Sequence, residues 1–507
     1  MADNRKEDFA IECVGITKRF GSVLANDHIN LQVRKGEVLA LLGENGSGKT
    51  TLMNMLSGIY HPDEGSIFVK GEEVIIKSPT DAAELGIGMI HQHFKLVDVF
   101  TAMDNIVLGT EEGYEKPKVL KEKIQRICEK FGLDVDAEKK VYNMSVSEKQ
   151  TVEILKVLYR GADVLILDEP TAVLTPQETE KLFQILRNMK EQGNAIIIIT
   201  HKLNEVLEIS DRVTILRKGQ SIDTVMTKGC DAGKLTELMV GRPISLEIER
   251  PEVECRNPIL SCKNLTIRKP DGTIGVNGLD FEIKTGEILG IAGVAGSGQK
   301  ELCEGIAGLL KPECGEIIYE GGNIVGKTPE EIINMGISMS FVPEDRLGMG
   351  LVASMGMVEN MLLKSYKKGK GPFLTRKPAR SLAERLVEKL GIVTPSVDTP
   401  VRLMSGGNVQ KVLLGREIES EPKVLITAYP VRGLDINSSY VIYDLLNEQK
   451  KKGVAVIYAG EDLDVLLELS DRILVLCHGE ITGIVDAKET TKEEIGLMMT
   501  GESKKEA

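Results

Sequence analysis

Short apolar runs recur along the chain and alternate with stretches whose apolar residues are spaced as in helices. The runs at 164–167 and 195–199 are bounded and rich in β-branched residues, which is typical of strands buried on both faces. Another run at 39–42 is followed, after a glycine-rich interval, by apolar residues at helical spacing between 52 and 56. Strands that alternate with helices predict an α/β fold with a mostly parallel sheet and a ligand at the carboxyl ends of its strands.

The chain also repeats itself at an interval of about 250 residues. The glycine-rich segment 43–48 returns as 293–298, and the segment 210–213 returns as 470–473. A period of this length is that of a whole α/β domain, so the sequence predicts two homologous domains joined by a stretch rich in proline and charge. The predicted segments are a first domain at 1–245, a linker at 246–257 and a second domain at 258–507.

The glycine-rich segment after the first apolar run has the spacing G-x-x-x-x-G-K-T of the phosphate-binding loop of P-loop nucleotidases. Its glycines let several backbone N–H groups point at one anion, and the helix that follows adds its positive end. We expect Lys49 to reach the β- and γ-phosphates of a nucleotide, and the Thr50 hydroxyl to bind Mg²⁺. The residues expected to line this site are Gly43, Glu44, Asn45, Gly46, Ser47, Gly48, Lys49, Thr50 and Thr51.

Acidic and polar residues follow two later strands, at the sheet edge where we expect the phosphate loop. Asp168 ends one apolar run and is expected to hold Mg²⁺, directly or through its water. Glu169 is expected to polarise an attacking water as a general base, and the alternative is a strand end with two solvated acids. His201 follows the next apolar run and is predicted to contact the γ-phosphate, with a structural histidine as the alternative.

Two further residues are candidates for contacts with the nucleotide. Gln92, in the segment 88–93, is placed to reach both Mg²⁺ and the attacking water, although its own pattern does not separate this role from a structural one. Phe20 follows Thr17-Lys18-Arg19 and is predicted to stack its π face on adenine, with a plain core aromatic as the alternative.

Composition narrows the class of protein. With 507 residues, 42% of them hydrophobic, the chain is long enough for roughly two to four domains. No apolar run approaches the roughly 18 residues of a membrane-spanning helix, and the charged start lacks the apolar core of a secretion signal, so we expect an intracellular protein. Eight cysteines without C-x-x-C pairs favour reduced thiols, and a net charge of −13 argues against a nucleic-acid partner.

The order of these motifs resembles that of the ABC ATPases, and the resemblance covers nearly the whole chain, twice. The phosphate loop, Gln92, the Asp168-Glu169-Pro170 strand end and His201 correspond to the Walker A, Q-loop, Walker B and switch-histidine motifs. The resemblance implies ATP and Mg²⁺ as cofactors. It also implies, in each half, a mostly parallel sheet core, an antiparallel β subdomain and a helical subdomain that carries a signature sequence, L-S-G-G-Q.

In that family the two domains pair head to tail, and each ATP lies between one domain's phosphate loop and the other's signature. The segment 404–408 reads M-S-G-G-N. The resemblance therefore assigns Ser405, Gly406 and Gly407 to the ATP held by the Lys49 loop, because their N–H groups at a helix start would close over the γ-phosphate.

The opposite pairing departs from the family pattern at most positions. In the second phosphate loop, Gln299 replaces the lysine and Lys300 replaces the residue with the hydroxyl. Ala428 and Tyr429 replace the two acids, and Glu461 replaces the histidine. The signature of the first half reads M-S-V-S-E at 144–148. Glycines of the second loop still permit weak nucleotide retention. We expect one hydrolysing site in each chain.

What this ATPase drives is predicted from the resemblance alone. A soluble tandem ATPase acting on ribosomes generally keeps both sites and carries a basic interdomain arm, whereas the segment 244–252 here is short and acidic. The DNA-repair type inserts a long coiled coil that the sequence lacks. Fused cassettes with a degenerate second half resemble the motors of bacterial importers of simple sugars and nucleosides.

Segments 90–97, 152–163 and 172–178 look like the nucleoside branch of those importers, and monosaccharide uptake remains the alternative. The resemblance implies two membrane permease subunits as partners, with an extracellular solute-binding lipoprotein acting through them. The chain would then be a peripheral protein at the cytoplasmic face of the cell membrane. Segments after Gln92 and around Glu344 would pass motion to the permeases.

Overall fold

The computed structural model describes residues 9–21, 23–91, 94–110, 115–172, 174–241, 246–253, 257–341, 350–366, 374–432 and 434–501. The chain divides into two compact units, Met1–Ser245 and Leu246–Ala507, which we call the front unit and the back unit. Within the described residues each unit contains one six-stranded and one four-stranded sheet.

The strands of the front unit are β1 (Phe9–Phe20), β2 (Val23–Arg34), β3 (Val38–Leu42), β4 (Glu64–Val69), β5 (Glu72–Val74), β6 (Ile87–Ile90), β7 (Val164–Asp168), β8 (Ala195–Ile199), β9 (Arg212–Arg217) and β10 (Gln220–Met226). The larger sheet has the order β10-β9-β3-β8-β7-β6, and the smaller antiparallel sheet has the order β2-β1-β4-β5. In the larger sheet β3 runs parallel to both β8 and β9, and only the edge strand β10 is antiparallel. The predicted mostly parallel core and antiparallel β subdomain are confirmed.

The helices of the front unit are α1 (Lys49–Leu56), α2 (Pro79–Glu84), α3 (Ala102–Val107), α4 (Pro117–Phe131), α5 (Val146–Tyr159), α6 (Pro176–Glu191), α7 (Leu203–Ile209) and α8 (Ala232–Val240). Helices α3, α4 and α5 share one apolar cluster, which includes Ile106, Leu120 and Leu155. They form the helical subdomain that the resemblance implies.

The strands of the back unit are β11 (Pro258–Arg268), β12 (Ile274–Lys284), β13 (Ile288–Ala292), β14 (Cys314–Tyr319), β15 (Gly322–Asn323), β16 (Ile337–Phe341), β17 (Val424–Ala428), β18 (Ala455–Ala459), β19 (Arg472–Cys477) and β20 (Glu480–Asp486). They repeat the front topology, with the orders β16-β17-β18-β13-β19-β20 and β12-β11-β14-β15. The internal repeat of the sequence is therefore a repeat of the fold.

The helices of the back unit are α9 (Gln299–Ile306), α10 (Pro329–Asn334), α11 (Met357–Ser365), α12 (Lys377–Leu390), α13 (Gly406–Ile418), α14 (Ile436–Lys451), α15 (Leu463–Leu469) and α16 (Lys492–Thr500). Helices α11, α12 and α13 form its helical subdomain around a common apolar cluster. Across the described residues of both units, no helix has the length and apolarity needed to cross a bilayer.

The central strand β3 shows why the core strands read as continuous apolar runs. All five of its residues are buried. Val38 packs in the cluster on one face of the sheet, whereas Leu39 and Leu41 pack in the cluster on the other face. Because helices or the second sheet cover both faces, neither set of side chains is polar, and the strand fixes the position of the loop that follows it.

Residues 246–253, which the sequence assigns to the linker, lie on the back unit. The Tyr440 hydroxyl donates a hydrogen bond to the Leu246 carbonyl at 2.9 Å, and the Asn447 amide donates to the Glu249 carbonyl at 3.1 Å. Ile248 packs against the apolar cluster of the helical and sheet layers. This part of the linker is thereby fastened to one unit by side-chain and main-chain contacts.

Candidate nucleotide-binding site

The phosphate loop of the front unit connects β3 to α1 and is shaped by its glycines. Gly48 has a φ of 97°, and a Cβ there would lie 2.5 Å from the Ala25 carbonyl oxygen and from the Asn26 amide nitrogen. Only glycine fits this left-handed position without moving the neighbouring strand. No side chain caps the start of α1, so its first N–H groups are left for an anion.

Lys49 folds back over this loop. Its ammonium donates to the Gly43 carbonyl at 2.7 Å and to the Glu44 carbonyl at 3.1 Å. Burial lowers the pKa of Lys49, while the carboxylates of Glu169 and Asp168 oppose the shift. The charge is thus held inside the loop, within reach of phosphates bound there.

The two predicted acids lie at the end of β7. Asp168 is its last residue, and burial raises the pKa of its carboxyl to about 6, with the charge of Glu169 adding to the rise and that of Lys49 opposing it. Glu169 has a φ of 48°, and its N–H donates to the Ile199 carbonyl at 2.8 Å. This left-handed turn directs the carboxylate back across the sheet edge.

His201 lies beside the second acid, because β7 and β8 are parallel neighbours. His201 Nδ1 is 2.9 Å from Glu169 Oε1. The other oxygen, Glu169 Oε2, is buried and has no hydrogen-bond partner in the described part of the chain. The histidine thus orients the carboxylate through one oxygen and leaves the other oxygen unpaired within the described residues, as a general base requires.

The remaining predicted residues are placed as follows. Thr50 and Thr51 lie in the first turn of α1, and Thr50 is exposed at the loop. Ser47 is buried, and within the described residues its hydroxyl oxygen has no partner. Glu44 and Asn45 lie in the loop before it. Gln92 lies outside the described residues, as does Glu344 in the back unit.

Phe20 ends β1 and is 42% exposed, so it is not a core aromatic. Its ring meets Tyr60 edge to face, with centroids 5.2 Å apart at 70°, and the Lys18 ammonium lies 5.6 Å from the ring centroid. The exposed face is available for stacking on a base. Sequence reasoning missed Tyr60, although the segment containing it follows the phosphate-loop helix and recurs in the repeat.

The two signature segments differ at the start of their helices. Ser405 caps α13, accepting from the Asn408 backbone N–H at 3.4 Å and from the Asn408 side chain at 2.9 Å. Gly406 and Gly407 form the first turn, which contains no acidic residue. Their N–H groups therefore stand at an uncharged, positively polarised helix end.

Helix α5 begins at the corresponding place in the front unit but is closed by its own side chain. Ser145 and Glu148 form a reciprocal capping box, in which the Ser145 N–H donates to Glu148 at 2.7 Å. Lys139 donates to the same carboxylate at 2.7 Å. The start of α5 therefore carries a carboxylate, whereas the start of α13 carries none.

Two comparisons with known proteins agree with this geometry. The family model described as ABC transporter matches residues 26–172 and 276–430. The chain is 44% identical to the nucleoside import ATP-binding protein NupA of Lactococcus lactis, over 97% of this chain and 98% of that protein. It is also 44% identical to the guanosine import ATP-binding protein NupO of Bacillus subtilis, over 99% of both.

This chain belongs to the ABC transporter family. It is an ATPase of the import ATP-binding type, whose ATP hydrolysis is coupled to transport. A third relative is the ribose import ATP-binding protein RbsA of Clostridium perfringens, 39% identical over 97% of this chain and 98% of that protein.

The Walker A loop of the back unit keeps the family backbone without its charge. Gln299 begins α9 where Lys49 begins α1, is 3% exposed, and donates its amide to the Val294 carbonyl at 3.3 Å. Lys300 does not replace the missing charge, since its ammonium lies 3.9 Å from Glu304 along the helix.

The Walker B strand of the back unit ends without a carboxylate. Tyr429 adopts a φ of 54°, and its N–H donates to the Ala459 carbonyl at 2.8 Å. The Arg432 guanidinium lies 5.9 Å from the centre of the tyrosine ring and 3.5 Å from Glu461, which holds the place of the switch histidine. In the described residues, this arrangement offers no general base at the strand end.

Proposed function

We propose that this protein is the ATP-hydrolysing subunit of a nucleoside importer, bound peripherally at the cytoplasmic face of the membrane. It would dock on two permease subunits that receive solute from an extracellular binding lipoprotein. The observation that carries the chemical part is the 2.9 Å contact between His201 and Glu169, at the strand end beside the Lys49 loop. Names of the NupA and NupO relatives support the nucleoside part.

The residues of the front loop fit ATP with Mg²⁺. Thr50 and Asp168 offer a hydroxyl and a carboxylate, the oxygen donors that Mg²⁺ accepts alongside phosphate oxygens, and Gln92 is proposed as a third ligand. A bound Mg²⁺ would neutralise charge that develops on the phosphates. Lys49 would hold the β- and γ-phosphates, and Phe20 would stack on the adenine.

Glu169 would accept the proton of the attacking water through Oε2, the oxygen that no described residue binds. His201 would hold the other oxygen and reach the γ-phosphate. Ser405, Gly406 and Gly407 would complete the same ATP site from the back unit, because a glycine turn without an acidic side chain presents its first N–H groups to the γ-phosphate. The back loop would hold nucleotide weakly or not at all, and would not hydrolyse it.

Replacing Glu169 with Gln tests this assignment, with Tyr429→Phe as the matched control. Glu169→Gln keeps the shape and removes the base, so steady-state ATPase activity should fall at least about 100-fold. Tyr429→Phe, at the same place in the back unit, should change the rate less than about twofold. Near-normal hydrolysis by Glu169→Gln would overturn the assignment.

Import of a monosaccharide is the second candidate, favoured by the 39% identity to the ribose import protein RbsA. The two candidates are separated by the ligand of the solute-binding protein that we propose as a partner. When purified and titrated with nucleosides and with ribose, galactose and glucose, that protein should bind a nucleoside. Binding of a sugar alone would assign the transporter to sugar uptake.

A further inference from the structure

A buried carboxylate lies near the carboxyl end of α13, the helix that begins with the intact signature. Glu417 is 0% exposed. Its Oε2 accepts from the Lys364 ammonium of α11 at 2.6 Å and from the Ser338 hydroxyl of β16. Its Oε1 accepts from Arg416 Nε at 3.0 Å. Burial acts to raise the pKa of Glu417, but Lys364 and Arg416 outweigh it and leave the pKa below its usual range.

Arg416 extends this cluster to the segment that follows β16. Its guanidinium donates to the Gly350 carbonyl at 2.8 Å and, more weakly, to the Asn360 carbonyl at 3.5 Å. We call Ser338, Lys364, Arg416 and Glu417 the α13 anchor. It joins the signature helix to the core sheet, to helix α11 and to the backbone at residue 350.

The front unit has no carboxylate at the place of Glu417; its buried α5 acid, Glu153, lies one turn earlier, accepts from the Lys95 N–H at 2.5 Å and lies 3.8 Å from the Lys156 ammonium. Aligning the starts of α5 and α13 places Val157 opposite Glu417. Aligning β6 with β16 places Gly88 opposite Ser338, and a Cβ on Gly88 would clash with a methyl group of Val157. Asn105 and Asn360 are equivalent, because their side-chain oxygens accept hydrogen bonds from the N–H groups of Val97 and Val352, respectively. Counting four residues on from each places Gly109 opposite Lys364.

One contact is shared between the two junctions. Lys156, the front counterpart of Arg416, donates to the Lys95 carbonyl at 2.9 Å, as Arg416 does to Gly350. A hydrogen bond from a basic side chain of the helix to a backbone carbonyl is thus common to both units. The buried Glu417 and its partners are present only beside the signature that is open to phosphate.

We propose that the α13 anchor positions Ser405, Gly406 and Gly407 for ATP hydrolysis at the Lys49 loop. The proposal rests on the proposed function, in which these residues complete that site. Glu417 lies twelve residues from Ser405, or about 18 Å along the helix, so a tilt of about 10° at the anchor would displace the signature by about 3 Å. Glu153 joins α5 only to the backbone at residue 95, and Val157 meets Gly88 through apolar packing, which is not directional. Glu417 instead accepts hydrogen bonds from β16 and α11, and these fix the orientation of α13 against the core sheet.

Glu417→Gln in the full chain is the first test. The ATPase kcat should fall about tenfold, while the ATP concentration that gives half-maximal rate changes less than twofold, because nucleotide is held chiefly by the Lys49 loop. Glu419→Gln is the matched control, since it removes an acid two residues further along whose partner, Arg385, is a surface residue. The control should leave kcat unchanged.

A second variant separates positioning from stability. The triple change Ser338→Gly, Lys364→Met and Glu417→Val replaces the anchor's hydrogen bonds with the apolar contact that Val157 and Gly88 make in the front unit, so the Tm should return close to that of the wild type. The kcat should stay low. Recovery of kcat together with Tm would show that the anchor only stabilises the fold and would overturn the proposal.

Ser405→Ala, measured in parallel, distinguishes this failure from that of the proposed function. An unchanged rate in Ser405→Ala would overturn the shared ATP site itself, and with it any role for the anchor in hydrolysis. A low rate in Ser405→Ala combined with a normal rate in the triple variant would overturn the anchor alone.

Discussion

The phosphate loops of the two units have nearly the same backbone and different chemistry. Gly46 and Gly48 have φ values of 82° and 97°, and their counterparts Gly296 and Gly298 have 88° and 109°. Even the left-handed turn after the Walker B strand is kept when tyrosine replaces the acid. The fold therefore fixes the shape of the loop, and catalysis depends on a few side chains placed upon it.

Substitution of the lysine should give the largest difference in ATPase activity between the two loops. Lys49→Ala removes the charge that faces the phosphates, so ATPase activity should fall at least about 100-fold. Gln299→Ala removes an amide that bonds its own loop and should change the rate less than about twofold. Equal losses in the two variants, in steady-state phosphate release, would show that both loops work.

Substitutions in the two signatures should change the ATPase rate by a smaller factor than substitutions of the lysine. Gly406→Val gives α13 the residue that α5 carries as Val146, and the bulk at the helix start should lower kcat about 10- to 100-fold. The reciprocal change Val146→Gly should leave kcat within about twofold. If the reciprocal change raised or abolished activity, the front signature would not be silent.

The aromatic pair on the front unit should affect binding of the base more than the rate. Phe20→Ala removes the exposed ring and should raise the half-saturating ATP concentration about fivefold, with kcat nearly unchanged. Phe20→Trp should restore the affinity. Tyr142→Ala, which removes another exposed aromatic, is the control and should behave as the wild type.

The smallest effect concerns stability, because the front unit buries an acid where the back unit has Ala428. A raised pKa means that the folded protein resists ionising Asp168, so the charge costs stability above pH 6 and the cost fades as pH falls towards 4. In nucleotide-free protein, Asp168→Asn should raise the free energy of unfolding by about 1 kcal/mol at pH 8 and by about half of that at pH 5. Asp98→Asn, at an exposed acid, should show no such trend in denaturant titrations.

Features fixed by local sequence were predictable. The apolar runs became β3, β7 and β8, and because parallel strands end at one edge, the residues after β7 and β8 were expected together and lie within hydrogen-bonding distance. Likewise, the capping box at Ser145 and Glu148 was readable from its spacing but was not recognised.

Features that depend on distant partners were not predictable. Glu417 follows an apolar stretch of α13, and the sequence does not reveal that its partners come from β16 and α11. Tyr60 meets Phe20 only because the loop after α1 returns to the end of β1. In both cases the contact follows from packing between segments remote in sequence.

The carboxylate at the start of α5 has a consequence for how many substitutions separate the two helix starts. Glu148 bonds the Ser145 N–H and pairs with Lys139, so its charge opposes the positive polarisation that an anion would meet at this helix end. Glycines introduced at 146 and 147 would leave this carboxylate in place. A helix start like that of α13 would therefore need Glu148 replaced as well, so no single substitution produces it.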